Sequence, residues 1–332
     1  MADLTTKYLG LSLSNPLIIG SSGLTDSADN ILFLEKAGAG AVVLKSLFEE
    51  QIMLEVDSSL KEAYQNDMIY SAKSETLDYI DIHIRERTLS AYIELIKEVK
   101  KKVMIPVIAS INCVSSAEWI NFASQFEKAG ADALELNIAI LPSDEKMSAE
   151  KIEKTYFDII EKVKSQVNIP VSVKMSSYFT NLALMVKKLS ETGIEGIVMF
   201  NRFYTPDFDI NNFSEKSSNT FSTPSEAGNV RRWMGIMSPR VDCDLAASTG
   251  IHSAEDLTKQ LLAGAKAVQV VSTIYKNGKN QIQKMLGGLN MWMDEKGFNT
   301  IEQFRGKLSQ AETSNPSAYE RIQFMKYFSE IK

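Results

Sequence analysis

A short run of aliphatic and β-branched residues, followed by a longer amphipathic stretch, recurs eight times along these 332 residues, and few architectures accept that rhythm. The runs are "NPLIIGSS" (15–22), "AGAVVLKS" (39–46), "VMIPVIASIN" (103–112), "ADALELNI" (131–138), "IPVSVKMS" (169–176), "GIEGIVMFN" (193–201), "VDCDLAAST" (241–249) and "AKAVQVVST" (265–273). Each is nearly continuous in apolar residues, the pattern of parallel strands covered on both faces. The stretches between them, such as "SADNILFLEKAG", "SSAEWINFASQFEKAG" and "SAEDLTKQLLAGA", read as helices. Several stop at glycine, where a left-handed C-cap needs no Cβ. Ser253 in "SAED" opens a capping box, and "STPSEAGNVRRWMGIMSP" holds the helix just before "VDCDLAAST". The alternation predicts an α/β fold, a (β/α)8 TIM barrel, as one domain over 1–332. A doubly wound open sheet is the rival, but no GxGxxG turn follows the first strand. Two excursions, 47–75 and 202–223, are expected as long loops at the C-terminal face of the barrel. They serve either as substrate apparatus or as partner surfaces.

Charge narrows the functional classes. The 36 basic and 42 acidic residues are spread along the chain for a net charge of -6, which argues against a nucleic-acid or anionic-membrane surface. The opening "MADLTTKYLG" has no apolar targeting segment and no stretch reaches membrane-span length, so a cytoplasmic location is expected. Two cysteines, Cys113 and Cys243, make neither a disulfide framework nor a metal site, and no metal is expected.

In a barrel the C-terminal strand ends converge on one mouth. Here those ends carry Ser22, Lys45, Ser46, Asn112, Asn137, Lys174, Asn201, Ser248, Thr249, Ser272 and Thr273. Each either bonds locally as a first loop residue or faces a polar ligand. Lys45 and Lys174 favour the second reading, because an amine ending a buried strand is costly unless it meets an anion or an electron-rich ring. "AASTGI" and "VVSTIYKNG" finish with hydroxyl pairs, the first followed by Gly250. After the seventh and eighth strands, such elements make a phosphate site or a pair of tight turns. His252 reads as the neighbour of a helix cap and is left outside the site.

Eight of these fragments, "NPLIIGSSGLT", "VVLKS", "IPVIASI", "ADALELNI", "VSVKMS", "IVMFNR", "ASTGIHSAEDLTKQLLAGAKAVQV" and "STIYKNG", together resemble the dihydroorotate dehydrogenases, particularly the soluble class. The resemblance runs in order from about Leu4 to Gly278. It implies FMN at the barrel mouth, pyrimidine biosynthesis and a homodimer. It also implies that Gly20, Ser21 and Gly23 lie by the flavin and that Lys45 and Ser46 contact its ring edge. Asn112 and Asn137 would hydrogen-bond the ring, and Lys174 would face the negative charge that collects on reduced flavin. Gly250, Ser272 and Thr273 would take the phosphate, with Ser248 and Thr249 leading into that site, and Asn201 the substrate. Lys174, Lys45 and Asn201 are thus the candidate catalytic residues.

Two departures qualify this. Where the family continues from Glu-Leu-Asn into a Ser-Cys-Pro-Asn-like run, whose cysteine or serine is the base, this chain has Ala139, Ile140, Leu141, Pro142. Nor is the family's Asn-rich substrate loop recognisable between 60 and 80. Isoleucine has no proton to exchange, and losing a positioned base costs about 10²–10⁴ in rate. Cys113 is the nearest thiol, and Glu49 and Glu50 are carboxylates that a mobile 47–75 loop would bring inward. Three readings follow: an FMN-dependent oxidoreductase of small planar or enoate substrates, dihydroorotate among them; a flavin-binding protein without turnover; and a flavin-free barrel enzyme acting on sugar phosphates. The electron acceptor is not encoded, and without a CxxC cluster any iron–sulfur centre belongs to a partner chain.

Overall fold

The barrel strands are shorter than their apolar runs, because the hydroxyl and glycine residues at their ends already belong to loops. The computed structural model describes residues 2–65, 74–112, 116–216 and 220–321. Its barrel strands are β1 (Leu17–Ile19), β2 (Ala41–Val43), β3 (Val107–Asn112), β4 (Ala133–Asn137), β5 (Val171–Met175), β6 (Gly196–Met199), β7 (Asp244–Ser248) and β8 (Ala267–Val270). All pair in parallel with their sequence neighbours; β8 returns to β1 through Val268 opposite Leu17, and β2 meets β3 through Val42 opposite Val107. The sheet is a closed (β/α)8 barrel, as the alternation predicts. Around it run α1 (Ala28–Lys36), α2 (Glu49–Gln65), α3 (Ser74–Lys102), α4 (Ser116–Ala129), α5 (Ala149–Lys164), α6 (Leu182–Ser190), α7 (Ala227–Met237), α8 (Ala254–Ala263), α9 (Ser272–Asn277) and α10 (Asn280–Lys296). The Ser253–Asp256 capping box opens α8, and Gly264 closes it at φ 114°.

Strand periodicity divides the core in two. Leu17 and Ile19 face the helix layer, while Ile18 points inward with Val43, Ile108, Ala133, Val198, Ala246 and Ala267. An N-terminal hairpin (Thr6–Tyr8 with Leu11–Leu13) plugs the lower end of this lumen with Tyr8, Leu9 and Leu13. Gly196 makes room for the plug, since a Cβ there would lie 2.4 Å from the Leu9 side chain. Leu9 N–H donates to Asp244 at 2.8 Å and ties the plug to β7.

One rung higher the lumen turns polar: Ser110, Glu135, Ser172 and Gln269 are all buried. This is the floor of the mouth, and it explains why those strands break their apolar runs with a polar residue.

Among its described residues the long second connection is mostly helical, not a loop. Leu47–Phe48 extends the sheet beside Ile111–Asn112, and α2 and α3 follow as packed helices. Their apolar positions (Ile52, Val56, Ile84, Leu89, Tyr92, Ile96 and Val99) are buried in the helix-layer core. Helical periodicity therefore governs much of a segment whose length suggested a loop. The 202–223 excursion contains a short hairpin, Asp207–Asp209 with Ser214–Lys216, and returns at 220–223 against the mouth.

Candidate active site

A cavity of about 370 Å³ opens at the C-terminal strand ends. Its lining brings together Ser21, Gly23, Lys45, Ser46, Asn137, Lys174, Asn201, Thr249, Gly250 and Ser272 from the sequence-derived set. Gly20, Asn112 and Thr273 stand just outside the lining. Asn112 ends β3 opposite Phe48, and Thr273 is fully buried, donating its hydroxyl to the His252 carbonyl at 3.2 Å. Thr273 therefore braces the loop after β7 from beneath, while its neighbour Ser272 reaches the cavity.

The floor is an ordered polar layer. Lys174 Nζ donates to Gln269 Oε1 at 2.9 Å, and Gln269 Nε2 donates to Glu135 Oε2 at 2.5 Å. Lys174 Nζ also lies 3.9 Å from Glu135 Oε1. The amine that looked unsupported in sequence thus has a counter-charge in the protein. Glu135 and Gln269 escaped the sequence reading, although each shows there as a polar residue within a buried strand. Beside them, a hydroxyl chain joins Ser21 to Ser46 at 3.0 Å and Ser46 to Ser110 at 2.7 Å. Two acceptors are left over: Glu135 Oε1 and Asn137 Oδ1 are buried and have no hydrogen-bond partner. Buried polar atoms rarely go unmatched, so their position at the cavity floor suits a ligand bearing donors.

The upper rim is held by the returning 220–223 segment. Ser222 N–H donates to Ser272 Oγ at 3.0 Å, Ser222 Oγ pairs with His252 Nε2 at 3.1 Å, and Lys276 Nζ donates to the Ser222 carbonyl at 2.8 Å. Burial, then the nearby Lys276 charge, lowers the His252 pKa below the ordinary histidine value. Arg202, also unremarked in the sequence, lines the cavity; its Nε donates to Glu226 at 2.8 Å and its Nη1 to the Thr220 carbonyl at 3.2 Å. Burial works to raise the Glu226 pKa, but the bonds from Arg202 and Thr223 outweigh it and leave the carboxyl below its usual range. Asn201 donates to the Lys174 carbonyl at 3.2 Å, and Thr249 to the Phe200 carbonyl at 3.2 Å.

Gly250 has φ +79°, and a Cβ there would sit 2.2 Å from the Ala227 nitrogen at the start of α7. The backbone after β7 is therefore pressed against a helix start, with the Ser248, Thr249 and Ser272 hydroxyls around it. This arrangement suits a phosphate group.

The residues suggested for proton chemistry lie elsewhere. Ile140 is half-buried against the helix-layer core and does not line the cavity. Glu49 is no mobile carboxylate: it opens α2, is buried and pairs with Arg85 at 3.7 Å, while Glu50 beside it is exposed. Cys113 lies outside the described residues. Cys243 is largely buried, and burial together with the Asp244 charge pushes its thiol up to about 12. Among the described residues no group of His, Cys, Asp and Glu could hold a metal ion.

Comparison with known proteins defines the class. The family model described as dihydroorotate dehydrogenase matches residues 3–293. The chain is 26% identical over 312 residues to the catalytic subunit of dihydroorotate dehydrogenase B (NAD(+)) of Thermoplasma volcanium, covering 92% of this chain and 98% of that protein. The corresponding Pyrococcus furiosus subunit is 26% identical, with 90% and 97% covered. The chloroplastic dihydropyrimidine dehydrogenase (NADP(+)) of Arabidopsis thaliana is 22% identical, with 96% and 80% covered. Fold, mouth and relatives together define an oxidoreductase barrel of a class whose members are flavoproteins. The chain belongs to the dihydroorotate dehydrogenase family. Among the described residues no helix is long and apolar enough to cross a membrane.

Proposed function

We propose that this chain is an FMN-dependent oxidoreductase that exchanges a hydride between flavin N5 and a small planar or enoate-type substrate, and that dihydroorotate is at best a poor one. The observation that carries this reading is the cavity floor: a braced ammonium at Lys174 beside the unpartnered Asn137 Oδ1. An acceptor and a cation side by side match the donor-and-acceptor edge of an isoalloxazine ring. When bound, FMN supplies the two-electron chemistry that no side chain of the chain provides.

The protein's part is positioning and charge. Lys174 favours negative charge developing above the floor, a preorganised donor whose value rises away from water. Asn137 would accept a ring N–H, and the Gly250 corner with Thr249 and Ser272 would hold the phosphate. Asn201 and Arg202 line the substrate side, and Lys45, Lys174 and Arg202 outnumber Glu135 in the lining, an excess of positive charge that suits a carboxylate. Ile140 leaves the family's base position without a proton acceptor. Oxidising a carbon acid such as dihydroorotate is then slow, whereas reducing an activated alkene, which takes its proton from solvent, is not impaired.

The relatives named as NAD(+)-linked catalytic subunits suggest that electrons pass through a partner chain. A homodimeric core and a place in pyrimidine metabolism complete the proposal. The Ile140 substitution also favours a second reading, a flavin-binding subunit without turnover. Purified protein decides first: a yellow flavin spectrum, native or after FMN reconstitution, is expected, and a protein that stays colourless overturns the proposal. Anaerobic titration then separates the readings, since reoxidation of the chemically reduced protein by a quinone or enoate is expected only of an enzyme.

A further inference from the structure

We propose that Glu135 is a positioning residue which, through Gln269, fixes Lys174 at the cavity floor and moderates its field, and so sets the reduction potential of the bound flavin. The inference rests on the FMN reading above. Glu135 is 1% exposed and Gln269 2%, so their charge and dipole are shielded little by water. Gln269 is a keyed spacer. Its amide N–H meets the Glu135 carboxylate at 2.5 Å and its carbonyl meets the Lys174 ammonium at 2.9 Å; flipping the amide would set donor against donor and acceptor against acceptor. Gln269 stands on β8, while Glu135 and Lys174 stand on β4 and β5, so the brace crosses the barrel lumen.

Stability alone does not account for this layer. A buried ion pair can often be replaced by apolar side chains with no loss, and Ile108 and Ala133, the inward residues two positions before Ser110 and Glu135, are apolar. On β3 and β4 the inward face turns polar only from Ser110 and Glu135 upward, toward the cavity. Without the spacer, Lys174 would close the remaining 3.9 Å to Glu135 and withdraw from the cavity. The spacer keeps the ammonium raised, and the carboxylate beneath offsets part of its charge.

Two substitutions therefore act in opposite directions. Glu135→Gln removes the offsetting charge while keeping the shape, so reduced, negatively charged flavin is favoured about tenfold, equivalent to a rise of about 30 mV for a two-electron couple. Gln269→Met keeps both charges but frees Lys174 to collapse onto Glu135, so the potential falls by a similar fold-change. The experiment is FMN titration of parent and both variants, followed by anaerobic equilibration with a reference dye. Opposite shifts support the inference, because a merely structural role weakens FMN binding in both variants without such a split. Equal potentials in flavin-loaded parent and variants overturn it. A parent that binds no FMN overturns the functional reading, and this inference with it. If Glu135→Gln yields no folded protein, Gln269→Met decides alone, and an unchanged potential there refutes the inference.

Discussion

Gly250→Ala tests the phosphate corner most directly, because its cost is computable from the structure. A Cβ at this position would lie 2.2 Å from the Ala227 nitrogen, 2.8 Å from the Glu226 carbonyl carbon and 2.9 Å from the Ala227 Cα. All three are backbone atoms, so no side-chain rotation relieves the clash. The residue also holds φ +79°, which costs an L-residue about 1–2 kcal/mol. Overpacking of this kind adds about 1–3 kcal/mol. The expected loss is therefore about 2–5 kcal/mol, a large fraction of typical stability. The damage is also local, since displacing the start of α7 moves Glu226 and, through it, Arg202 at the cavity wall. Urea denaturation of the apoprotein should show a lower midpoint, and FMN titration should show weaker binding. Gly228→Ala is the control: at the second residue of the same helix, a Cβ meets nothing within 4 Å, so little change is expected. An unchanged midpoint in Gly250→Ala, with FMN affinity equal to the parent, would refute the claim that the loop needs this close approach.

Other expectations follow from the same geometry. Lys174→Ala should lower the flavin potential and weaken FMN retention, as read by dye equilibration and dialysis; an equal potential would mean that this cation does not face the ring. Ile140→Cys should not create a dihydroorotate dehydrogenase, because Ile140 packs on the helix layer and does not line the cavity, and stopped-flow reduction by dihydroorotate should stay slow in parent and variant. Rapid reduction of the parent, with a pH profile exposing one basic group, would show that a substitute base exists. His252 contributes to acid sensitivity: its folded pKa lies below its ordinary value, so the unfolded chain binds the proton more readily. Stability should therefore rise with pH from the lowered value up to the ordinary one, and His252→Gln should flatten that part of the profile in denaturant titrations across acidic pH.

Much of the barrel was legible because each strand is buried on both faces and so reads as an uninterrupted apolar run. The strands end near the residues foreseen, with Asn112 and Asn137 as the last residues of β3 and β4. Elsewhere the apolar pattern overran. Ser22 caps a 3-10 turn and Ser272 opens α9, and hydroxyls that continue a strand in sequence instead satisfy loop N–H groups. The 47–75 stretch, which holds α2, was read as a long loop because it exceeds the usual length of a strand-to-helix connection, and only packing against the helix layer reveals its amphipathic face. In the site, strand-end residues were visible because their position alone marks them. Glu135 and Gln269 were not, since what distinguishes them is a partner 134 residues away across the lumen. Arg202 was missed for a related reason: its role depends on Glu226 and Thr220, which belong to separate turns.

The distribution of proton-exchanging groups explains why the oxidoreductase reading survives the loss of a base. Glu135 lies under the cavity with one oxygen bonded to Gln269 and the other within ion-pair range of Lys174. Glu226 is held below its usual range by the bonds from Arg202 and Thr223 and does not line the cavity. His252 is occupied by Ser222 behind the rim, and the Cys243 thiol, near 12, is no nucleophile at neutral pH. The cavity thus carries cations in excess; the carboxylate in its lining, Glu135, has one oxygen bonded to Gln269 and the other facing Lys174, and neither His252 nor Cys243 lines it. Such a site favours the half-reaction that delivers hydride to an electron-poor, negatively charged acceptor: Lys45 and Arg202 are placed to hold its charge, and water supplies the proton. Oxidation of a saturated ring such as dihydroorotate asks for a base positioned at the substrate carbon, and the family's base position here holds Ile140. Loss of the base and retention of the cationic floor are therefore compatible. Together they point to a changed substrate on a preserved electron-transfer frame.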